Sequence, residues 1–255
     1  MLTNTANILD ATIPDATIQD APITKKPKKP IHVLQPYYDI ANTLEIGLDE
    51  AGRGPLFGRL YVAATILPKD TSFRHSDIKD SKKFTSKKKI KDVSDYIKSN
   101  CIAYSIQYIE AEEIDRINIL QAVLKAMHNC IKECIAKMLA THPETYSSAD
   151  YCLLVDGNQF KPYMSYNNTT DELECIRHVM IEGGDNKYTS IAAASILAKV
   201  ARDQYIADLC LQRPELISRY HLDTNMGYGT KQHMEGILEY GITDEHRKSY
   251  KPCKL

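Results

Sequence analysis

From Thr43 onward the chain carries two hydrophobic periods. Leu44, Ile46 and Leu48 alternate with Glu45 and Gly47 up to the pair Asp49-Glu50, and a second apolar run covers 61–67 after a Gly- and Pro-containing segment. Period two on both sides of a turn predicts a β-hairpin. A third strand is expected over 102–109 and a buried one over 151–155, which runs into Asp156-Gly157-Asn158. Another short run, 178–181, leads to Gly183-Gly184-Asp185. Elsewhere the period lengthens: Ile114, Ile117, Leu120, Val123, Leu124, Met127 and Ile131 recur every three or four residues, so 111–140 reads as a core-facing helix. The 190–211 stretch reads as another, and its Ala192-Ala193-Ala194-Ser195 run suits close packing on a sheet. Beyond Pro214 only shorter helices are expected. The predicted fold class is α/β, a central mixed sheet flanked by helices with a helical C-terminal region at about 212–255.

The first residues do not share this texture. DATI at 10–13, DATI at 15–18 and DAPI at 20–23 form a degenerate five-residue repeat, followed by KKPKKP at 25–30. Such a segment has too little apolar surface to offset the entropy of ordering it. Residues 1–40 are therefore expected to form a flexible low-complexity tail and 41–255 the folded domain. The basic hexamer reads as a solvated linker rather than an import or polyanion-binding patch.

Composition then removes function classes. With 32 Lys+Arg against 33 Asp+Glu in 255 residues, the net charge of −1 excludes binding of polyanions through bulk positive charge. No run approaches the roughly 18 apolar residues of a membrane span, and the N-terminus lacks a secretory layout. An intracellular, cytoplasmic protein is expected, nuclear if the source is eukaryotic. Seven Cys, none in a paired CxxC spacing, read as reduced thiols.

Three of the predicted strands run into acids: Asp49 with Glu50, Asp156, and Asp185. If those strands are neighbours, four carboxylates converge, and like charges that close call for cations. An all-oxygen donor set favours Mg²⁺ or Mn²⁺ over zinc. Two such ions suit hydrolysis of a phosphodiester. Immediately after the first pair comes Gly52-Arg53-Gly54, which lacks the ending of a P-loop and the spacing of a dinucleotide fingerprint. Glycines there let the backbone approach a sugar closely. Basic clusters at Lys82-Lys83, Lys87 to Lys91 and the C-terminal end read as solvated helix faces or, beside a phosphodiester site, as backbone contacts.

Taken together, IGLDEAGRGPLFG, DSKKFTSKKK, YIEAEEIDRINILQAVLKAM, LLVDGN, GGDNKYTSIAAASILAKVARD and NMGYGTKQHMEGILEYGITDEHRKSYKP resemble the ribonuclease HII family, type 2 ribonuclease H, across most of 44–252. The resemblance implies a ribonuclease H-like fold and a metal-dependent endonuclease. Its substrates would be the RNA strand of RNA/DNA hybrids and ribonucleotides embedded in duplex DNA, nicked on the 5′ side, as in ribonucleotide excision repair and DNA replication. It also implies that Asp49, Glu50, Asp156 and Asp185 bind two Mg²⁺ or Mn²⁺ ions, and that Gly52, Arg53 and Gly54 read the 2′-hydroxyl. Tyr228 would pack on the sugar next to the ribonucleotide, and Lys82 or Lys83 would contact a phosphate. The bacterial-like DGN and GYGT blocks imply a monomer without obligate partner subunits. Met226 stands where the family has Lys, and Arg59 where it has Pro, which is expected to loosen a turn. The 159–175 stretch reads as a surface insertion. A ribonuclease HIII-like nuclease is disfavoured by Arg53, where that family has Thr. A non-catalytic hybrid-binding protein is disfavoured by retention of all four acids.

Overall fold

Three buried strands and two long helices set the frame of this computed structural model, which describes residues 33–41, 44–141, 147–167 and 170–254. Strands β1 (Leu44–Ala51), β2 (Leu60–Ile66) and β3 (Ala103–Ile109) form an antiparallel meander. β4 (Tyr151–Asp156) joins β1 in parallel, and β7 (Arg177–Ile181) joins β4 in parallel, giving the order β3-β2-β1-β4-β7. The sheet is mixed, as the sequence predicts.

Helices cover both faces, which is why the central strands read as nearly continuous apolar runs. On one face Ile46, Leu48, Val62 and Leu153 pack with Val123, Met127 and Ile131 of α3 (Ile119–Thr141). On the other, Ala63 packs with Ala193, Ile196 and Leu197 of α4 (Thr189–Gln212), beside α1 (Lys87–Asn100) with its buried Ile97. The run Ala192-Ala193-Ala194-Ser195 is buried, as expected of small residues packed on a sheet, and the approach is closest just before it: a Cβ on Gly47 would lie 2.3 Å from the carbonyl carbon of Ser190, so the N-terminus of α4 rests directly on the β1 backbone. Thr65 Oγ1 donates to the Ser190 carbonyl at 2.8 Å and fixes that docking. Beyond α4, α5 (Glu215–Tyr220), α6 (Leu222–Asn225) and α7 (Lys231–Tyr240) enclose a separate apolar cluster around Leu216, Tyr220, Leu222 and Ile237, with Leu56 and Phe57 reaching in from the β1–β2 loop.

Four local expectations change. The 111–140 helix is broken at Asn118, whose φ of +67° interrupts the ladder, so α2 (Ala111–Ile117) and α3 are separate helices. The 159–175 insertion contains a two-stranded hairpin, β5 (Met164–Asn167) with β6 (Glu172–Cys175). The folded part begins before residue 41. Leu34 is buried in the α4-side core, Gln35 exchanges backbone hydrogen bonds with Lys187 and Thr189, and the buried Glu45 carboxylate accepts the N–H groups of Tyr38 and Asp39 at 2.9 Å. Only the part of the proposed tail up to His32, with its repeat and basic hexamer, lies outside the described residues. Lastly, Arg59 loosens nothing. Its guanidinium pairs with Glu110 at 2.7 Å and lies over the rings of Tyr108 and Tyr205, tying β2, β3 and α4 together.

Among the described residues no helix is long and apolar enough to cross a membrane. Cys130 and Cys134 are both buried, their thiols directed at the carbonyls of Val62 and Ala64, and burial pushes the Cys130 thiol up to about 12. They serve as packing.

Candidate active site

Register brings the acids together. β1 and β4 are parallel with Leu48 beside Val155, so the next residues, Asp49 and Asp156, follow side by side at the same end of the sheet. Asp156 also sits beside Ile181 of β7, and four residues further on the chain turns through Gly184–Asn186, which carries Asp185. The Gly184 N–H donates to Asp156 Oδ1 at 2.7 Å, so the turn bearing Asp185 is held against Asp156.

Strand alternation gives Asp49 and Glu50 opposite environments. Asp49 is on the α4 side, buried, and takes hydrogen bonds from Ser195 and from the Glu50 N–H, the latter at 2.7 Å. Glu50 faces the α3 side, lining a hollow with Val123, Met127, Asp156 and Asn158. Burial, then the charges of Glu50 and Asp156, hold Asp49 well above the usual carboxylate range. Burial also raises Glu50, opposed by Arg53 3.6 Å away. Asp156 is raised by burial and by the Asp185 charge, against the Gly184 N–H. The cluster is therefore short of positive charge.

Part of that charge comes from a lysine. Asp80 caps the Ser81–Lys83 turn by accepting the Lys82 N–H at 2.9 Å, and the same carboxylate accepts from Asn186 at 3.1 Å. This aims Lys82 across the cluster, where Nζ meets Asp185 Oδ2 at 3.4 Å. Partial burial lowers the Lys82 ammonium, but Asp185, Asp80 and Asp49 outweigh it and its pKa rises. Lys83 takes another course and donates to Asn186 Oδ1. Of the two lysines, Lys82 is the one in the pocket. Lys88 and Lys91 are paired along α1 with Asp92 and Asp95 and form a solvated face.

Asp49, Glu50 and Asp156 share a cavity of about 250 Å³ with Gly52, Arg53, Gly54, Lys82, Lys199 and Tyr228. A larger hollow of about 580 Å³ lies between α1 and α4, lined by Arg59, Lys98 and Tyr205, but none of the strand-end acids reaches it. Gly52 has φ +91°, and a Cβ there would lie 2.3 Å from Arg202 Nε, so glycine is required both by conformation and by space. Gly54 stands next to the Tyr228 ring, which is about half exposed. Met226, which replaces a lysine of the resembled family, lies partly against the C-terminal apolar cluster, and its carbonyl accepts from Arg202 at 2.9 Å.

Donor chemistry suits a hard divalent ion: oxygen atoms only, with mutual repulsion that a cation relieves. The Glu50 N–H occupies Asp49 Oδ1 and the Gly184 N–H occupies Asp156 Oδ1, whereas both oxygens of Asp185 are engaged, Oδ1 by Asn186 and Oδ2 by Lys82. Among the described residues no three His, Cys, Asp or Glu are grouped closely enough to hold an ion as they stand: Asp49, Glu50 and Asp156 share a pocket, and Asp185 is joined to it through Lys82 rather than lining it.

The family model for ribonuclease HII matches residues 46–253, from the strand that carries the first acids to the C-terminal turn. The chain belongs to the ribonuclease HII family. A ribonuclease HII of Parabacteroides distasonis is 42% identical over 218 residues, covering 86% of this chain and 94% of the relative. In fold, the chain is similar to the ribonuclease H2 of Pyrococcus horikoshii (TM-score 0.61, 20% identity, covering 82% of this chain and 95% of that one). It is also similar to a Bst ribonuclease HIII solved in complex with Mn²⁺ (TM-score 0.57, 16% identity, 84% and 68% covered). Membership makes the chain a ribonuclease H endonuclease, a phosphodiester hydrolase, and settles the choice between HII and HIII.

Residue-by-residue reading of the sequence missed what lies under the pocket. Ser195 and Arg202 line its buried wall, and His233, His246 and Arg247 lie beneath it, so Arg247, counted in sequence with the C-terminal basic cluster, is neither solvated nor free to meet a phosphate. The available signal was charge inside apolar texture: Arg202 follows the buried run from Ile191 to Ala198 and is four residues before the buried Ile206, on the inner face of a helix whose other face is exposed.

Proposed function

We propose that this ribonuclease HII nicks duplex nucleic acid on the 5′ side of a ribonucleotide, leaving 3′-hydroxyl and 5′-phosphate ends. Asp49, Glu50, Asp156 and Asp185 are the residues that would hold Mg²⁺ or Mn²⁺. The observation that carries this reading is the single pocket in which Asp49, Glu50 and Asp156 stand opposite Gly52-Arg53-Gly54 and Tyr228, with Lys82 bridging to Asp185. Bound divalent ions would supply a water activated at neutral pH and stabilise the leaving oxygen of an in-line displacement.

The residues of the chain divide the remaining work. Asp49 and Asp156, held side by side on parallel strands, present carboxylate oxygens to one region, and Glu50 presents its own from the opposite face of β1. The glycine loop brings backbone within reach of a ribose, where a 2′-hydroxyl offers both a donor and an acceptor that deoxyribose lacks. The Tyr228 ring, exposed beside Gly54, offers an apolar face to the neighbouring sugar. Lys82 and Lys199 put cationic groups at the pocket rim for phosphate. This reading takes the enzyme to act as a monomer on RNA/DNA hybrids and ribonucleotide-containing DNA. Mn²⁺ in the HIII relative supports a divalent ion here, and the all-oxygen set accommodates either metal.

The test is a DNA duplex with one internal ribonucleotide, incubated with Mg²⁺, with Mn²⁺ and with chelator. A single metal-dependent nick 5′ of the ribonucleotide is expected, and none in an all-deoxy control. Tight binding without any cleavage in either metal would instead favour a non-catalytic hybrid-binding role.

A further inference from the structure

The glycine loop and Tyr228 belong to segments far apart in sequence, yet both are tied to one buried dipeptide, His246-Arg247. Arg247 is fully buried, and its fork grips neutral oxygens rather than a carboxylate. Nη2 donates to the Gly52 carbonyl at 2.7 Å, Nη1 to the Arg53 carbonyl at 3.1 Å and Nε to the Gly58 carbonyl at 2.9 Å. Tyr250 Oη adds a second bond to the Arg53 carbonyl at 2.6 Å. In a trans peptide the C=O and the following N–H point in opposite directions. Drawing the Gly52 and Arg53 carbonyls down onto Arg247 therefore turns the N–H groups of Arg53 and Gly54 away from it, toward the side on which the pocket lies.

His246 reaches the other side through a proton-ordered chain. The Thr243 N–H donates to His246 Nδ1 at 2.9 Å, which leaves the His246 proton on Nε2. That proton points at His233 Nε2, 3.1 Å away, so the His233 proton is on Nδ1, where it meets the Tyr228 carbonyl at 2.9 Å. Both rings are fully buried. Burial, with His233 beside it, pushes His246 down to about 4, so the chain stays neutral at ordinary pH. Backbone stitches the same segment to the loop, Arg247 N–H to the Leu56 carbonyl and Gly58 N–H to the carbonyl of Glu245, the residue before the dipeptide, both at 2.8 Å.

We propose that His246 and Arg247 are positioning residues for ribonucleotide recognition, Arg247 setting the outward N–H groups of the glycine loop and His246, through His233, setting Tyr228. The proposal rests on the reading above that both elements touch substrate. One rigid dipeptide then fixes the distance between the 2′-hydroxyl reader and the sugar-stacking ring.

A double-mutant cycle on single-ribonucleotide nicking in Mg²⁺ tests it. His246→Asn keeps an acceptor for the Thr243 N–H but is too short to reach His233. It is expected to lower kcat/KM about tenfold, short of the roughly 10²-fold that a full 1 Å misplacement can cost. His246→Gln, whose amide N–H extends to the Nε2 position, should recover most of that loss. In a Tyr228→Ala background, His246→Asn should cost nothing more, since a residue acting only through Tyr228 has nothing left to position. Arg247→Lys keeps the charge without the fork and should also lose about tenfold, with divalent-ion uptake by calorimetry unchanged. Equal losses from His246→Asn in both backgrounds, or a Gln variant no better than Asn, would show that His246 serves the fold alone and overturn its part. Wild-type kinetics in Arg247→Lys would overturn the other part. Tyr228→Ala nicking at the wild-type rate would sink the reading of Tyr228 and the His246 arm with it, while leaving the arginine arm to be judged by its own variant. Melting temperatures identify loss of fold, and if His246→Asn does not fold, His233→Gln replaces it in the cycle with the same expectations.

Discussion

Two sets of buried charges meet at the glycine loop, and the fold treats them in opposite ways. Asp49 and Asp185 are 5% and 4% exposed, Arg202 and Arg247 2% and 0%, so burial does not distinguish them. Partners do. Arg202 donates to the carbonyls of Phe57, Arg59 and Met226, and Arg247 to those of Gly52, Arg53 and Gly58. Desolvation pulls both guanidiniums down, Arg202 to about 10, still charged at neutral pH. The acids face mostly each other, and burial plus mutual repulsion raises Asp49, Glu50 and Asp156. A charge whose hydrogen bonds are met inside the chain is structural. A group left with raised pKa values and one open side is set up for something outside the chain.

The sharpest way to break this contrast is to neutralise one member of each set. Asp49→Asn and Asp156→Asn preserve shape and remove charge, and each is expected to lower metal-dependent nicking on the order of 10³-fold, the scale of losing a preorganised electrostatic group. Duplex binding should persist, because the glycine loop, Tyr228 and Lys82 are intact. Single-turnover cleavage and a binding titration on the same substrate separate the two. An Asn variant that nicks at even a tenth of the wild-type rate contradicts the role given to that acid.

Arg202→Met tests the other set. Methionine fills much of the volume but leaves the carbonyls of Phe57, Arg59 and Met226 without that donor, so a loss of about 3 kcal/mol is expected. Thermal unfolding should show it as a drop of roughly 6–10 °C for a domain of this size. The contrast requires the signs to differ: removing an arginine destabilises, whereas removing an acid does not.

How much of this was legible beforehand follows from what each signal measures. Hydrophobic period reports burial, and it located all five strands of the main sheet and α4, because those elements are buried on one or both faces. Period says nothing of a single residue in a left-handed conformation, so the break at Asn118 was invisible. The acids could be read because each ends or follows an apolar run, and the register pairing Leu48 with Val155 then made Asp49 and Asp156 neighbours. The roles of His246 and Arg247 could not be read, because their partners are backbone carbonyls and a histidine ring elsewhere in the chain, which leave no residue-type pattern. Arg59 was misjudged for a related reason. Its local position suggested a turn residue, while its partners are Tyr108 on β3, Glu110 just beyond that strand and Tyr205 on α4.

A smaller effect sharpens the contrast through pH. A carboxylate whose folded pKa is raised keeps its proton in the folded chain after the unfolded chain has lost it. Its contribution to stability therefore falls as pH climbs from the ordinary carboxylate range through the raised folded values. With chelator present, Asp49→Asn is expected to gain on wild type through that window and to stay ahead by a few degrees above it. Adding Mg²⁺ at about 100 times its Kd should return up to about 2.7 kcal/mol to the wild type and less to the variant. Melting curves across pH, with and without the ion, give both differences. A wild type indifferent to Mg²⁺ would count against the acids as its site.

The β5–β6 hairpin marks the far end of the scale, because it shares neither set of charges. Met164, Tyr166 and Leu173 are 47%, 53% and 65% exposed, so its apolar side chains contribute little to the core. What matters structurally lies at its base. The Ile176 N–H donates to the Tyr163 carbonyl at 3.0 Å, Ile176 is fully buried, and the Lys161 carbonyl meets His128 Nε2 at 2.8 Å. Tyr163 and Ile176 are thus already neighbours. Replacing 164–175 by Asn-Gly, which favours a two-residue hairpin turn, should close the gap without straining the base. Shortening a loop changes closure entropy only slowly, so the melting temperature is expected to stay within about 2 °C. Nicking of the single-ribonucleotide duplex should be unchanged, since no residue of the hairpin lines the acid pocket. Weaker binding with intact stability would instead show that substrate extends past Asn158 onto the insertion, and the contact surface would have to be drawn beyond the two charged regions.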